Sequence, residues 1–201
     1  MRITFLALAM VLVLSGSACA QSYGSYYPSE FLWGLSWNLG LPTSETKDYT
    51  DDFSLRGIGL EGRKFIKPDL TVGLSFQWQV FWEKVFGTTD QEGFTVTGTQ
   101  WRYLNVFPLL ANVYKYWNYY GDFRPYVGLN TGAYIVENRL EMGLYQLQET
   151  KWHFGLAPAV GAQMPAGRFL GFLELRYNYV FKSGDSFEQS YFGFIIGVGL
   201  Q

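Results

Sequence analysis

Disulfide frameworks, histidine-based metal centres and membrane-spanning helices are all closed to this sequence. Its 201 residues contain one cysteine, Cys19, and one histidine, His153. A lone thiol forms no intrachain bridge, and a lone imidazole excludes a centre built from several histidines. No apolar run approaches the ~20 residues a helix needs to cross a bilayer. Charge is sparse at 16%, with 15 basic against 17 acidic residues and a formal charge of −2. That balance argues against nucleic acid as a partner and against strong surface binding of anionic lipid. Helical periodicity is absent, and no linker-like run divides the chain, so one domain is expected.

What is abundant is aromatic residues, at 19%, and glycine, at 23 residues. The N-terminus begins Met1-Arg2, continues as an apolar run over 3–14 and ends in Ser17-Ala18-Cys19-Ala20. This is the layout of a secretory signal peptide. Residues 1–20 are expected to be the leader and 21–201 one barrel domain. Cys19 would carry lipid in a lipoprotein, but Gly16 stands where such signals carry Leu, so cleavage after Ala20 is the favoured reading.

The stretch FLWGLSWNLGLP, residues 31–42, alternates strictly. Phe31, Trp33, Leu35, Trp37, Leu39 and Leu41 share one side of an extended chain, and Gly34, Ser36, Asn38 and Gly40 share the other. The pattern recurs over 70–83, 125–135, 152–164, 169–179 and 191–200, and less regularly over 53–64. In 53–64, Ile58 and Leu60 face opposite to Gly57, Gly59, Glu61 and Arg63. Residues 98–116 contain Pro108, for which a bulge or an end effect is expected, and their facing is left open. About eight strands result. Long polar connections at 42–52, 84–96, 138–148 and 182–188 alternate with shorter ones at 65–69, 117–122 and 165–167. Transmembrane barrels carry short periplasmic turns and longer outer loops, which places both termini on the periplasmic side.

The bulky face carries no charge in the clear strands, whereas Glu83, Lys151, Glu174 and Arg176 share the small face. Unpaired charge is costly in lipid, and glycine suits a narrow lumen better than an exposed strand. The bulky face is therefore expected to meet lipid. Trp33, Trp37, Trp78, Trp82, Trp152, Tyr177, Tyr179, Phe192 and Phe194 are then the candidate lipid-interface aromatics. The fold class is all-β: an eight-stranded antiparallel transmembrane up-and-down β-barrel. A soluble periplasmic barrel is the minority reading.

The chain resembles the small outer-membrane β-barrel superfamily that includes the OmpA membrane anchor, OmpX and OmpW. GLEGRKFIKPDLTVGLSFQW (59–78), RPYVGLNTGAY (124–134), LELRYNYVF (173–181) and YFGFIIGVGLQ (191–201) carry the resemblance. It implies a bacterial outer-membrane location, contact with outer-membrane lipid and lipopolysaccharide, and insertion by the barrel assembly machinery. That machinery's usual signal is a final aromatic residue, and this sequence ends Leu200-Gln201.

Several local features invite sharper readings. Gly57-Ile58-Gly59-Leu60-Glu61-Gly62 matches the dinucleotide fingerprint, but Pro68 soon follows and no helix starts there, so nucleotide binding is not expected. Outer-membrane lipid A-modifying enzymes pair His with Ser. His153 precedes Phe154 and Gly155, outside the expected His-x-Ser arrangement, and Ser186 and Ser190 could reach it only through the fold. Asp48, Asp51 and Asp52 cluster in the first outer loop without a recognised calcium pattern. Glu61, Arg63, Glu83, Lys151, His153, Glu174 and Arg176 form a candidate lumen charge ladder that closes the barrel to bulk solute. No catalytic residue, metal or cofactor is expected. The expectation is a monomeric, non-enzymatic barrel with a structural or adhesive role through its outer loops. The alternatives are a conduit for small hydrophobic molecules and a lipid A-modifying enzyme.

Overall fold

The computed structural model describes residues 30–91, 94–118, 120–142, 145–184 and 188–200. The expected leader with Cys19, as well as Ser186 and Gln201, lies outside the described residues. The strands are β1 (Phe31–Thr43), β2 (Arg56–Lys67), β3 (Leu70–Gln91), β4 (Phe94–Tyr116), β5 (Arg124–Met142), β6 (Tyr145–Ala166), β7 (Phe169–Val180) and β8 (Gln189–Leu200). Each pairs antiparallel with the next, and β8 returns to β1 in one closed barrel. Closure runs from Trp33 opposite Leu200 to Thr43 opposite Ser190, so no strand edge is left open.

The alternation in β1 becomes geometry directly. Leu32, Gly34, Ser36, Asn38 and Gly40 are buried, while Trp33 is 65% exposed and Leu35 56% exposed. Such a belt of exposed Trp, Leu, Ile and Phe is stable only against lipid. The bulky face is the outer face.

The Gly-rich inner face is a set of recesses for large rings. A Cβ on Gly128 would fall 2.1 Å from the Tyr114 ring, one on Gly161 2.6 Å from the Tyr126 ring, and one on Gly197 2.1 Å from the Phe172 ring. Each glycine lets a ring from another strand lie flat against the wall. At the β6–β7 turn a different property is used, since Gly167 has φ of 65°.

Four sequence expectations are corrected. Strand β2 starts at Arg56 and continues through Phe65 to Lys67, which leaves only Pro68 and Asp69 for its turn. Residues 84–91 with 94–96, and 138–142 with 145–148, extend the β3–β4 and β5–β6 hairpins, whose pairing reaches Gln91 opposite Phe94 and Met142 opposite Tyr145. The Thr-rich sequence at 94–99, with Phe94 and Val96, favours strand even where no apolar face is needed. A short helix, α1 (Ser44–Tyr49), occupies the first outer connection. Finally, Pro108 makes no bulge. The β3–β4 pairing stops at Phe76 opposite Leu109 and resumes in the same register at Gln79 opposite Val106. The missing N–H of proline simply silences the ladder there, and β4 keeps its facing, with Pro108 turned inward.

Candidate functional site

The lumen is stratified. At its short-turn end Leu32, Leu170, Phe172 and Ile195 form an apolar plug with Phe65 against it. Toward the long hairpins Phe81, Leu104, Val106, Leu110, Tyr134, Val136, Val180 and Tyr191 form a second apolar layer, against which Tyr49 of α1 packs. Between them lies a group of four charges.

Glu61 and Arg63 come from β2 and Glu174 and Arg176 from β7, each pair two residues apart, so all four side chains point inward. Arg63 donates to Glu61 Oε2 at 2.8 Å and to Glu174 Oε2 at 3.2 Å. Arg176 reaches Glu174 Oε1 through Nε at 2.8 Å and Nη2 at 2.6 Å. Arg63 and Arg176 are each 1% exposed. The two carboxylates and two guanidiniums offset one another, which is the condition for burying them at all.

Tyrosines complete the layer. Arg63 Nη1 donates to Tyr116 Oη at 2.8 Å, and the guanidinium carbon lies 3.8 Å from the Tyr114 ring centre. Tyr126 donates to Glu174 Oε2 at 2.9 Å, and Tyr114 donates to Asn130 Oδ1 at 2.9 Å. Gln163 Nε2 donates to Tyr116 Oη at 3.0 Å. These side chains span β2, β4, β5, β6 and β7, so the layer ties opposite walls together across the barrel.

Of the seven residues expected to form the charge ladder, four meet. The other three are corrected to separate places. Glu83 lies at the outer mouth and accepts from the Asp51 backbone N–H at 3.1 Å. Lys151 pairs with Glu149 at 2.8 Å on the long β5–β6 hairpin. His153 is buried, and its Nδ1 donates to the Phe181 carbonyl at 3.0 Å, which fixes the ring from the neighbouring strand. Strand rise explains the separation: eight residues along β2 and β3 move a side chain far up the barrel even when it keeps its facing. Sequence reasoning missed Tyr114, Tyr116 and Tyr126 as partners. The alternation of Leu110, Asn112, Tyr114 and Tyr116 against Leu109, Ala111 and Val113 is the signal that finds them.

Helix α1 roofs the outer mouth. Buried Thr46 donates to Gln189 Oε1 at 2.8 Å and accepts from the Ser190 N–H at 2.8 Å. The Ser190 hydroxyl donates to the Thr43 carbonyl at 3.2 Å and accepts from Thr43 Oγ1 at 3.0 Å. Its bonds therefore go to the first outer connection and not to His153. Asp51 pairs with Lys47 at 3.5 Å, and no cluster of three metal-ligating side chains converges among the described residues. The fingerprint run 57–62 is the middle of β2, with no helix after it.

All nine candidate interface aromatics point outward. Trp37 Nε1 donates to the Leu55 carbonyl at 2.8 Å, and Trp78 Nε1 donates to Asn105 Oδ1 at 3.3 Å. Trp82 stacks on Trp101 with centroids 5.7 Å apart, Tyr177 packs on Phe192 at 4.9 Å, and Tyr179 donates to Glu188 Oε2 at 2.6 Å. Trp33, Trp152 and Phe194 present exposed rings directly to the surroundings. Among the upper residues of this girdle Lys84 lies 5.0 Å from the Trp101 ring and Arg139 4.8 Å from the Tyr103 ring, while Arg56 lies 5.1 Å from Trp82.

No family model matches the chain, and no curated protein matches it. Solved structures do match it. Neisserial surface protein A aligns with a TM-score of 0.59 and 14% identity over 86% of this chain and 97% of its own. Ail, the attachment invasion locus protein of Yersinia pestis, solved with the heparin analogue sucrose octasulfate, aligns with a TM-score of 0.50 and 12% identity over 85% of this chain and 96% of its own. At such identities the likeness is one of fold: this is the eight-stranded barrel of small outer-membrane proteins, and its apolar belt makes it a membrane-spanning one.

Proposed function

We propose that the protein is a non-catalytic anchor in the bacterial outer membrane that works through its outer surface, binding an anionic partner such as an acidic polysaccharide. The observation that carries this reading is the contrast between inside and outside. The described lumen is filled by two apolar layers and a neutral, hydrogen-bonded charge layer. Outside, the β3–β4 hairpin continues from Trp82 to Gln91, roughly 30 Å of strand beyond the girdle at the usual rise.

The base of these hairpins carries Arg56, Lys84 and Arg139, each set on an aromatic ring. Glu141 pairs with Arg139 at 2.8 Å, so Arg56 and Lys84 are the cations left to meet an incoming anion. Cations held over rings keep their charge while losing little side-chain freedom on binding. The structure of Ail with a heparin analogue supports an anionic partner for a barrel of this shape.

The test is binding of the nanodisc-embedded barrel to a sulfated oligosaccharide, with neutral dextran as the control. Saturable binding that weakens with salt and falls in the Arg56→Gln, Lys84→Gln double variant supports the reading. Equal binding of both saccharides, or none of either, overturns it.

A further inference from the structure

The outer wall carries a feature that an anchor does not need. On the short-turn half of the barrel an open groove of about 720 Å³ runs over β1, β2 and β3. That volume is in the range of ligand-binding clefts, about 300–1,000 Å³. Its lining is almost wholly apolar, with Trp33, Leu60, Leu74 and Phe76 as sides. Gly62 falls on the outward face of β2, between Leu60 and Lys64 with their long side chains, and so leaves room for a ring to lie flat against the wall as one side of the groove. The Trp33 ring leans against this bare stretch of backbone, 3.0 Å from where a Gly62 Cβ would be.

The groove also has a polar end. Lys64 lines it beside Phe31, with Nζ 5.2 Å from the Phe31 ring centre. No carboxylate among the described residues comes within ion-pair distance of Lys64. Glu30, next to Phe31 in the chain, is joined to β2 through its backbone, its carbonyl accepting from the Phe65 N–H. From Phe31 to Leu35 the groove follows four residues of strand, about 13 Å at the usual rise. That is close to half of a ~30 Å hydrocarbon core. The groove thus spans one leaflet, with its cation at the short-turn, periplasmic surface and its apolar end at the midplane.

We propose that this groove seats one acyl chain of an anionic diacyl phospholipid from the periplasmic leaflet, with the phosphate on Lys64. Charge complementarity selects the headgroup, and the apolar groove, one side of it the Trp33 ring laid over Gly62, holds the chain. A bulk lipid contact would need neither. The site is independent of the outer hairpins, and it stands or falls apart from their partner.

Native mass spectrometry of the barrel extracted from membranes in mild detergent tests this, with a heat-modifiable gel shift as the folding control. Wild type is expected to retain one phospholipid per barrel, with anionic headgroups enriched over their membrane share. Lys64→Gln should cut retention of anionic lipid about fivefold, the effect of one basic side chain near a charged surface, and Lys64→Arg should restore it. Gly62→Leu should abolish retention while the exposed Trp33 ring swings aside. Absence of lipid on folded wild type, retention without headgroup preference, or equal retention in wild type and Lys64→Gln would each overturn the proposal. Because Lys64→Gln changes an exposed side chain, the test survives a folding failure of Gly62→Leu.

Discussion

The guanidinium carbon of Arg63 lies 3.8 Å from the centre of the Tyr114 ring, although β2 and β4 are not neighbours in the wall. The contact reaches across the corner of the lumen, and Arg63 continues to Glu174 on β7. Arg63 is therefore a cross-brace between strands that the backbone ladder does not join. Its removal leaves Glu61 and Glu174 with Arg176 as the remaining counter-charge.

Arg63→Met should therefore destabilise the barrel by about 3–5 kcal/mol, the cost of leaving a buried charge uncompensated. Urea unfolding in detergent micelles, followed by tryptophan fluorescence, measures it. Changing all four charges to apolar residues of similar volume should recover most of the loss, because no charge then stays buried. A fourfold variant as unstable as the single one would contradict this account.

The same layer should also limit conductance. Replacing Glu174 and Arg176 together by alanine removes the side chains that bridge Arg63, Tyr114 and Tyr126. Single-channel recordings in planar bilayers should show larger conductance than wild type. If conductance is unchanged, the apolar layers alone close the lumen and the charges serve only to brace it.

Glycine should be intolerant of substitution where it seats a ring on the inner face and tolerant where it faces open space. Gly128→Val drives a branched side chain into the Tyr114 ring, 2.1 Å from the Cβ position, and overpacking of this kind costs about 1–3 kcal/mol or more. Gly171, on the outer face, has nothing within 4 Å of that position. Gly171→Ala should unfold at the wild-type urea concentration. Equal destabilisation of the two variants would mean that strand propensity, and not ring seating, explains the glycines.

How much of this was legible follows the membrane. Inside the bilayer the two faces meet lipid and lumen, so Trp33 against Gly34, or Leu173 and Leu175 against Glu174 and Arg176, reads as an alternation and fixes both the fold and the charge layer. Beyond the girdle both faces of a hairpin meet water. Residues 84–91 and 94–96 then look like loop, and their pairing was not readable. Helix α1 is six residues long and too short to show a period. Tyr114 and Tyr116 were hidden for another reason: Pro108 suggested a bulge that would have inverted their facing, and the actual gap in pairing leaves the register intact. Lys151 and His153 share the facing of Glu174 and Arg176 but not their height, because facing repeats every two residues while height depends on strand tilt.

Asp69 provides a pH test at the periplasmic turn. The hydrogen bond from Lys115 holds its carboxyl below the usual carboxylate range, against the opposing effect of desolvation and with the Lys115 charge adding to the lowering. A carboxylate whose folded value is lowered contributes stability above its unfolded value and loses that contribution as pH falls through the folded one. Carbon-detected NMR titration should therefore place the Asp69 midpoint below that of an unstructured peptide. Lys115→Gln should move it back up toward the ordinary range. A midpoint that Lys115→Gln leaves in place would assign the lowering to something other than this pair.

Pro108 offers the last prediction. Its pairing partners on β5 are unbroken, with Pro108 opposite Tyr134, whereas Gln77 and Trp78 on β3 lose theirs. The absent N–H therefore points toward β3. Pro108→Val should supply that donor without changing the apolar lumen surface, closing the ladder at Gln77. A backbone hydrogen bond gained in this way is worth about 0.5–1.5 kcal/mol, and β-branched valine fits the pleat. Hydrogen exchange on the Pro108→Val variant should show the newly introduced amide protected to the level of the neighbouring strand residues, together with a higher urea midpoint. If that amide exchanges freely in a barrel of unchanged stability, the gap is not a missing donor, and a local separation of β3 from β4 must hold the two strands apart.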